Sequence, residues 1–330
     1  MSESSMPPMR QDWVGRRVVV RHGGWSGEPP YHDIVGELVE VTATHAVVRG
    51  ADGKRRRVPL DRVVAARVVA ASPRDILALE EICARGWRAV DTTWSRGWLL
   101  RADHGFSRRA NSALPLRPVH GSLDEAVAAA YDWYHARGLP LLVSCPLPAR
   151  MALDGALADL GFSAPVDVDV MIAELSTVPP PAEPVEIASL PSADWLASYH
   201  HRGDAELLDH GRAILTRHDR VGFATLRRGG EVLGVARGVV DSDWLGLTTV
   251  EVDPRARRTR VATSLVGALR EWAVRGHGAS RSYLQVETPN VAAIRLYAGL
   301  GYWHHHVYRY RIEPGPNNSP VIVTATRIPA

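Results

Sequence analysis

Lysine is almost missing from this 330-residue chain: Lys54 is the only one, so arginine supplies nearly all of the positive charge. The net charge of +3 is too small to argue for nucleic-acid binding by itself. A GC-rich genome accounts for the arginine bias without invoking function. Cysteine is nearly as scarce. Cys83 and Cys145 stand alone and far apart, which excludes a disulfide framework or a cysteine-rich metal cluster and fits a reducing compartment. No apolar run approaches the roughly 20 residues needed to cross a bilayer. The first ten residues, Met1 to Arg10, carry no apolar h-region. Secretion and membrane insertion are therefore not expected, and the expected location is the cytoplasm. Against these absences, 45% apolar and 23% charged residues describe an ordinary globular protein, long enough for two or three domains.

The patterning divides the chain. Residues 1–12 read as disordered. From Val14 to Ala71 short β-branched runs alternate with turns, among them the hairpin signal Asp52-Gly53. Five strands in so short a stretch predict a small SH3-like β-barrel over 13–72. Its turn carries Lys54-Arg55-Arg56-Arg57, a candidate patch for an acidic partner. Residues 73–176 begin with a helix over 74–87. Strands follow around Trp98–Leu100 and Asn111–Leu116. A second helix is capped by Ser122 with Glu125 three residues on. A strand at Leu141–Val143, a helix from Ala149 to Leu160 and a strand from Val166 to Leu175 complete the block. Pro179-Pro180-Pro181-Ala182-Glu183-Pro184 marks a linker over 177–184. Residues 185–330 then repeat the same grammar about 140 residues later. Leu141-Leu142-Val143 answers Leu284-Gln285-Val286, and Leu160-Gly161-Phe162 answers Leu300-Gly301-Tyr302.

Chemistry concentrates in the second copy. Val250-Glu251-Val252-Asp253-Pro254 is a strand ending at a proline. Arginines follow, and an apolar-periodic helix begins at Val261. A strand feeding directly into a helix N-terminus gathers unpaired backbone N–H groups at one point, a place suited to phosphate. Farther on, Asn290, Ala293, Tyr297, Gly301 and Tyr302 form Asn-x-x-Ala-x-x-x-Tyr-x-x-x-Gly-aromatic. Together the two stretches resemble the GCN5-related N-acetyltransferase (GNAT) family. In its strand-to-helix signature Arg257 fills the first position and Ala262 the last, while Arg260 stands where the family has glycine.

The resemblance implies an α+β (mixed α/β) GNAT fold with two GNAT-like halves. The first, 73–176, is degenerate: Leu157 falls where Tyr297 falls in the second. The arrangement, with its N-terminal barrel, resembles an actinobacterial group of such proteins. Acetyl-CoA is the implied acetyl donor, with no metal. Its pyrophosphate would meet Arg257, Arg258, Thr259, Arg260, Val261, Ala262 and Thr263. Its pantetheine arm would run along the backbone of Val250 and Val252 and past Asn290. Tyr297 would be the general acid for the leaving thiolate. For the base, the family position on the fifth strand holds Gln285, which cannot take a proton. Glu287, two residues on and on the same face, and Glu251 are the candidates. His304-His305-His306 does not form a metal triad on a strand, but His304 and His306 share a face and could line the acceptor site. Loops 200–212, 241–246 and 303–308 are expected to touch the acceptor, a protein or small-molecule amine. The activity implied is acetyl transfer to a primary amine by direct attack. The alternative is a catalytically weak acyl-CoA-binding regulator whose barrel docks a partner.

Overall fold

A computed structural model describes residues 9–23, 31–50, 52–175, 181–199 and 205–315. Much of the proline-rich linker and the first eight residues of the N-terminal segment lie outside these. Backbone contacts separate two compact units, Met1–Ala71 and Ser72–Ala330.

The first unit begins with a 3₁₀ turn, Gln11–Trp13, and has strands β1 (Arg17–Gly23), β2 (Tyr31–Val41), β3 (His45–Gly50), β4 (Arg55–Pro59) and β5 (Val63–Val68). They form one antiparallel sheet in the order β4-β3-β2-β1-β5. Alternation places Val18, Val20, Leu38, Ala46 and Val48 in its core. Met9 is buried in the same core and Trp13 packs on it, so residues 9–12 are ordered, contrary to the sequence expectation. Two apolar anchors outweigh the polar composition that suggested a loose end.

The second unit comprises α1 (Pro73–Arg85), β6 (Asp91–Ser95), β7 (Trp98–Ala102), α2 (Leu123–His135), β8 (Leu142–Leu147), α3 (Met151–Asp159) and β9 (Asp167–Glu174). It continues with β10 (Glu186–Ala188), α4 (Ala193–Ser198), α5 (Ala205–Thr216), β11 (Val221–Arg228), β12 (Glu231–Asp241) and β13 (Trp244–Val252). It ends with α6 (Val261–His277), β14 (Arg281–Glu287), α7 (Val291–Gly299) and β15 (Trp303–Ile312). Ser72 and Ser122 both close capping boxes, on α1 and α2. The strand expected over Asn111–Leu116 is absent. Only isolated bridges form there, from Ala113 to Val143 and from Leu114 to Leu99. Pro115 has no N–H to continue a ladder, and the two residues before it bond in different directions. The sequence reading missed β6, which folds back on β7 through Arg96 and Gly97, both at positive φ, the backbone that tight hairpins require.

Eight strands form one sheet, β10-β11-β12-β13-β14-β9-β15-β8. The copies therefore do not each build their own sheet. Strand β9 of the first copy is inserted between β14 and β15 of the second, antiparallel to both. Its near-continuous burial from Val168 to Ala173 suits a strand covered on both faces. The repeat survives in local geometry. Tyr302 N–H donates to the Tyr297 carbonyl and Phe162 N–H to the Leu157 carbonyl, each at 3.0 Å. Gly301 and Gly161, at φ +86° and +84°, make the two reversals possible.

Helices α6 and α7 cover one face of the sheet over Leu226, Ala236, Leu245, Leu247, Leu284 and Val286. On the opposite face, Trp195 of α4 and Ile214 and Leu215 of α5 pack with Phe223, Val235 and Val239, joined by Trp87 and Phe106 of the first copy. Leu79 and Cys83 of α1 pack there against Tyr283, Tyr308 and Tyr310.

Candidate active site

Strands β13 and β14 are parallel and paired only from Trp244–Leu247 against Arg281–Leu284. Beyond Leu247 and Leu284 they part. The divergence coincides with a bulge. Between the partners Arg237↔Thr248 and Val235↔Glu251, β12 advances two residues and β13 three. Thr249 sits there at φ +54°. A β-branched residue in the left-handed region costs on the order of 1–3 kcal/mol, and bulges of this kind re-aim a strand. The gap opens into a cavity of about 1000 Å³. Residues from Leu247 to Val252 line one wall and Leu284 to Glu287 the other. The Asp253 N–H donates to the Leu233 carbonyl at 2.9 Å. Antiparallel alternation then makes Val252↔Gly234 a pair without ladder bonds, so the Val252 amide faces the gap.

The mouth of the cavity is the start of α6. A 3₁₀ turn, Pro254–Ala256, follows β13 and leads into Arg257 and Arg258. Arg258 (φ +62°) and Arg260 (φ +67°) are both left-handed, and Arg260 is the helix N-cap. Arginine at 260 thus adopts the conformation that the usual glycine would take, with its side chain exposed. The first intrahelical bond runs from Ser264 N–H to the Arg260 carbonyl at 3.0 Å. The N–H groups of Val261, Ala262 and Thr263 precede it, and all three residues line the cavity with Arg257, Arg258 and Arg260. Thr259 does not line it. Its hydroxyl donates to the Ala256 carbonyl (2.7 Å), and Arg228 donates to its hydroxyl (3.2 Å) and carbonyl (3.1 Å). It braces the turn from behind. Gly234 permits the close fit: a Cβ there would stand 2.7 Å from Val261 and 2.8 Å from the Glu251 carbonyl.

The candidate acid and bases lie on opposite faces of the sheet. Tyr297, on α7, belongs to the α6/α7 core and lines the cavity. Its ring meets Tyr302 edge-on at 6.0 Å. Burial first, then the Tyr302 hydroxyl and Glu251, raise its pKa well above the ordinary tyrosine value, so the hydroxyl keeps its proton. Asn290 caps α7, its side chain accepting from Ala293 N–H at 3.1 Å, and also lines the cavity. Glu251 is cross-strand from Val235, a residue of the α4/α5 core. It is buried and faces that side, opposite Val250 and Val252, which pack toward α6. Leu284 and Val286 likewise point to α6 and α7, which turns Gln285 and Glu287 to the other side. The parted strands thus join a chamber holding Tyr297 to one holding Glu251, Gln285 and Glu287.

The first copy completes the second chamber. Its loop Asp103–Asn111 delivers Ser107, Arg108 and Arg109 to the cavity wall. Asn111 Oδ1 accepts from the N–H groups of Asp103 (2.7 Å) and Gly105 (3.0 Å), and its amide donates to the Ser107 carbonyl (2.8 Å). Buried Phe106 and Ala110 anchor the loop on the α4/α5 core. Arg108 Nη2 donates to Glu287 Oε1 at 2.7 Å, and Arg109 Nε to Gln285 Oε1 at 2.8 Å. Trp87, Tyr199, Tyr308 and Tyr310 add aromatic walls. Fully buried Arg237 braces this corner. It donates to the Leu215 carbonyl at 2.9 Å and lies 5.1 Å over the Trp87 ring. Of these, Ser107, Arg108, Arg109, Trp87, Tyr199, Tyr310 and Arg237 were not singled out from the sequence, whereas Tyr308 falls in the expected loop 303–308. The available signal was an arginine pair in the segment His104-Gly105-Phe106-Ser107-Arg108-Arg109-Ala110-Asn111, which has no helix or strand period.

One expectation fails here. His304 and His306 do not share a face, because β15 bulges between them: His304 pairs with Met171 and His306 with Val170. His304 lies 3.4 Å from Asp169, while His306 is buried against Glu80 at 2.9 Å, and neither lines the cavity. Of the loops expected at the acceptor, 241–246 does not line it and 303–308 contributes only Tyr308. Residues 200–204 lie outside the described residues. Among those described, no three His, Cys, Asp or Glu side chains converge as a metal site, and no helix is long and apolar enough to cross a membrane. In the first unit Arg56 is paired with Asp52 at 2.6 Å, while Lys54, Arg55 and Arg57 are exposed.

Comparison with known proteins accords with this geometry. Residues 73–311 match the family model described as "Probable histone acetyltransferase Rv0428c C-terminal". Residues 13–67 match "Rv0428c N-terminal Sm-like domain", so the SH3-like assignment is corrected to Sm-like. Both names describe small, strongly bent five-stranded sheets, which strand patterning does not tell apart. The chain is 32% identical over 313 residues to the "Probable histone acetyltransferase Rv0428c" of Mycobacterium tuberculosis, covering 90% of this chain and 94% of that protein. It is 25% identical over 253 residues to the "Uncharacterized N-acetyltransferase YobR" of Bacillus subtilis, covering 72% and 99%. Among solved structures, a GCN5-related N-acetyltransferase from Kribbella flavida superposes with a TM-score of 0.54 at 15% identity, covering 73% of this chain and 96% of that one. One from Sphaerobacter thermophilus gives 0.52 at 17%, covering 74% and 93%. The chain belongs to the family of the probable histone acetyltransferase Rv0428c, acetyltransferases of the GNAT type with an N-terminal Sm-like domain.

Proposed function

We propose that this protein moves the acetyl group of acetyl-CoA to a primary amine by direct attack, without a covalent enzyme intermediate. The observation that carries the reading is the parting of β13 and β14 beyond Leu247 and Leu284, directly above the free N–H groups of α6. A pyrophosphate seated on Val261, Ala262 and Thr263 would accept charge-assisted bonds worth about 1.5–3 kcal/mol each. It would also meet the positive end of the helix dipole, with Arg257, Arg258 and Arg260 around it. The pantetheine arm is polar along its length and would pair with the exposed edge at Val250 and Val252, past Asn290. The Val252 amide would then face the thioester oxygen, where a fixed donor stabilises developing negative charge.

The division of labour follows from the two chambers. An alkylammonium has a pKa near 10.4 and must lose a proton before it attacks. Glu251, on the acceptor side, takes that proton directly or through water. Glu287, whose carboxylate Arg108 holds, is the second candidate. Tyr297, on the donor side, protonates the departing thiolate. In this reading 185–330 is the catalytic half, 73–176 the degenerate half that supplies the acceptor wall, and 13–72 the accessory domain. The Mycobacterium relative's name raises histone lysines as acceptors; small amines and protein N-termini have the same reactive group. The test is thiol release from acetyl-CoA over a panel of alkylamines, amino acids and peptides, a histone-tail peptide among them. Amine-dependent release is expected. Acetyl-CoA binding without release on any acceptor would favour a regulatory binding role instead.

A further inference from the structure

The acceptor chamber holds an arginine, Arg109, that forms no ion pair with a carboxylate among the described residues. Arg109 donates from Nε to Gln285 Oε1 at 2.8 Å and from Nη2 to the Gln285 carbonyl at 3.2 Å. Both acceptors belong to a neutral residue. The carboxylate two residues along the strand, Glu287, is engaged by Arg108 at 2.7 Å. Among the described residues no carboxylate pairs with Arg109. A guanidinium has five N–H donors, and Gln285 takes two, in a geometry that fixes the plane of the group. The remaining donors belong to a side chain on the cavity wall. Burial works against the charge, but Tyr308, Tyr310, Tyr199 and Glu287 outweigh it and lift the Arg109 pKa above the ordinary value. Glu251 lines the same cavity from β13, on the sheet face that carries Val235. Beside the Arg108–Glu287 pair, the chamber therefore holds a fixed guanidinium at Arg109 and a carboxylate at Glu251, with aromatic walls around them.

We infer that the acceptor is an amine bearing a carboxylate a few bonds from its nitrogen, the carboxylate seated on Arg109 and the nitrogen directed to Glu251. This rests on the acetyltransferase reading and narrows it. It also gives Gln285 a role. A glutamate there would cancel the charge of Arg109, whereas the amide orients the guanidinium and leaves its charge to the substrate. Arg109 is a specificity residue in this scheme, and Gln285 a positioning residue acting through it. A free amino acid and an acidic residue near a peptide N-terminus present the same pair of groups.

The test compares kcat/KM at saturating acetyl-CoA for ω-amino acids of increasing length with their amides and the matching alkylamines. A short peptide with glutamate at position two is compared with its glutamine counterpart. At the best spacing the carboxylate should win by about 10- to 100-fold, mostly through KM, as a charge-assisted pair predicts. The free and peptide arms identify the source. Arg109→Gln should bring the ratio within about threefold of one, and Arg109→Lys should keep part of the preference. Melting temperature and acetyl-CoA affinity show whether each variant is folded; if one is not, the wild-type ratio decides alone. Equal rates for acid and amide, or a preference for a Lys- and Arg-rich histone-tail peptide, would overturn the inference. If no acceptor turns over, the acetyltransferase reading fails. Calorimetric titration of the same pairs into CoA-saturated protein still measures the preference, and equal affinities would overturn the inference separately.

Discussion

Tyr297 and Glu251 sit on different faces of one sheet, and the proposed mechanism gives them different work. The separation yields distinct expectations. Tyr297→Phe removes one hydroxyl and keeps the ring against Tyr302. The single-turnover rate should fall by two to four orders of magnitude, the usual yield of general acid–base catalysis, with acetyl-CoA affinity little changed. An unchanged rate would leave the proton to water. Because burial raises the Tyr297 pKa above its ordinary value near 10, the acid stays protonated from neutral pH to at least that value. The pH–rate profile should therefore show no alkaline fall between pH 7 and 10 from its loss. A descending limb there that disappears in Tyr297→Phe would keep the acid role and contradict the raised pKa. Glu251→Gln should slow single turnover by about 10²- to 10⁴-fold, and Glu287→Gln by much less. The reverse order would make Glu287 the base and the Arg108 pair its modulator.

At the scale of elements, the turn from β13 into α6 shows both how much sequence discloses and where it stops. The strand, proline and helix from Val250 to Leu265 were legible because the apolar period changes from two to 3.6 within a few residues. The α7 motif was legible because Asn290 caps and Gly301 reverses the chain in a fixed frame. Arg260 read as a departure from the family pattern, yet the backbone there keeps the left-handed turn. Arg260→Gly should exceed Arg260→Ala in unfolding free energy by about 1 kcal/mol, since only glycine adopts that backbone without the steric cost. Equal stabilities in denaturant titrations would mean that the turn relaxes on substitution. The bulge at Thr249 was not legible, since a β-branched residue argues for a regular strand. The bulge after His304 was hidden similarly, because strict alternation is the default for a strand. The insertion of β9 is a long-range pairing with no local signature. Arg108 and Arg109 lie in a loop without periodicity, where only the Asn111 bonds reveal that they are aimed.

For the whole molecule, the division at Ala71 and Ser72 separates an Sm-like domain, without cofactor motifs, from the unit that carries the cavity. Deleting residues 1–71 should leave acetyl-CoA affinity within about twofold by calorimetry, with ΔG changed by less than roughly 0.5 kcal/mol. Should the exposed Lys54, Arg55 and Arg57 dock an acidic partner, the deletion will lower activity on a macromolecular acceptor and spare small amines; equal loss on all acceptors would make the domain structural. The most direct test of the site is a crystal structure with acetyl-CoA bound. The pyrophosphate should lie on the N–H groups of Val261, Ala262 and Thr263. The pantetheine should run between β13 and β14, with the thioester sulfur toward Tyr297 and its carbonyl toward Val252. Acetyl-CoA seated elsewhere, as before α2 near His120 and Gly121, with the Arg257–Thr263 turn empty, would contradict it.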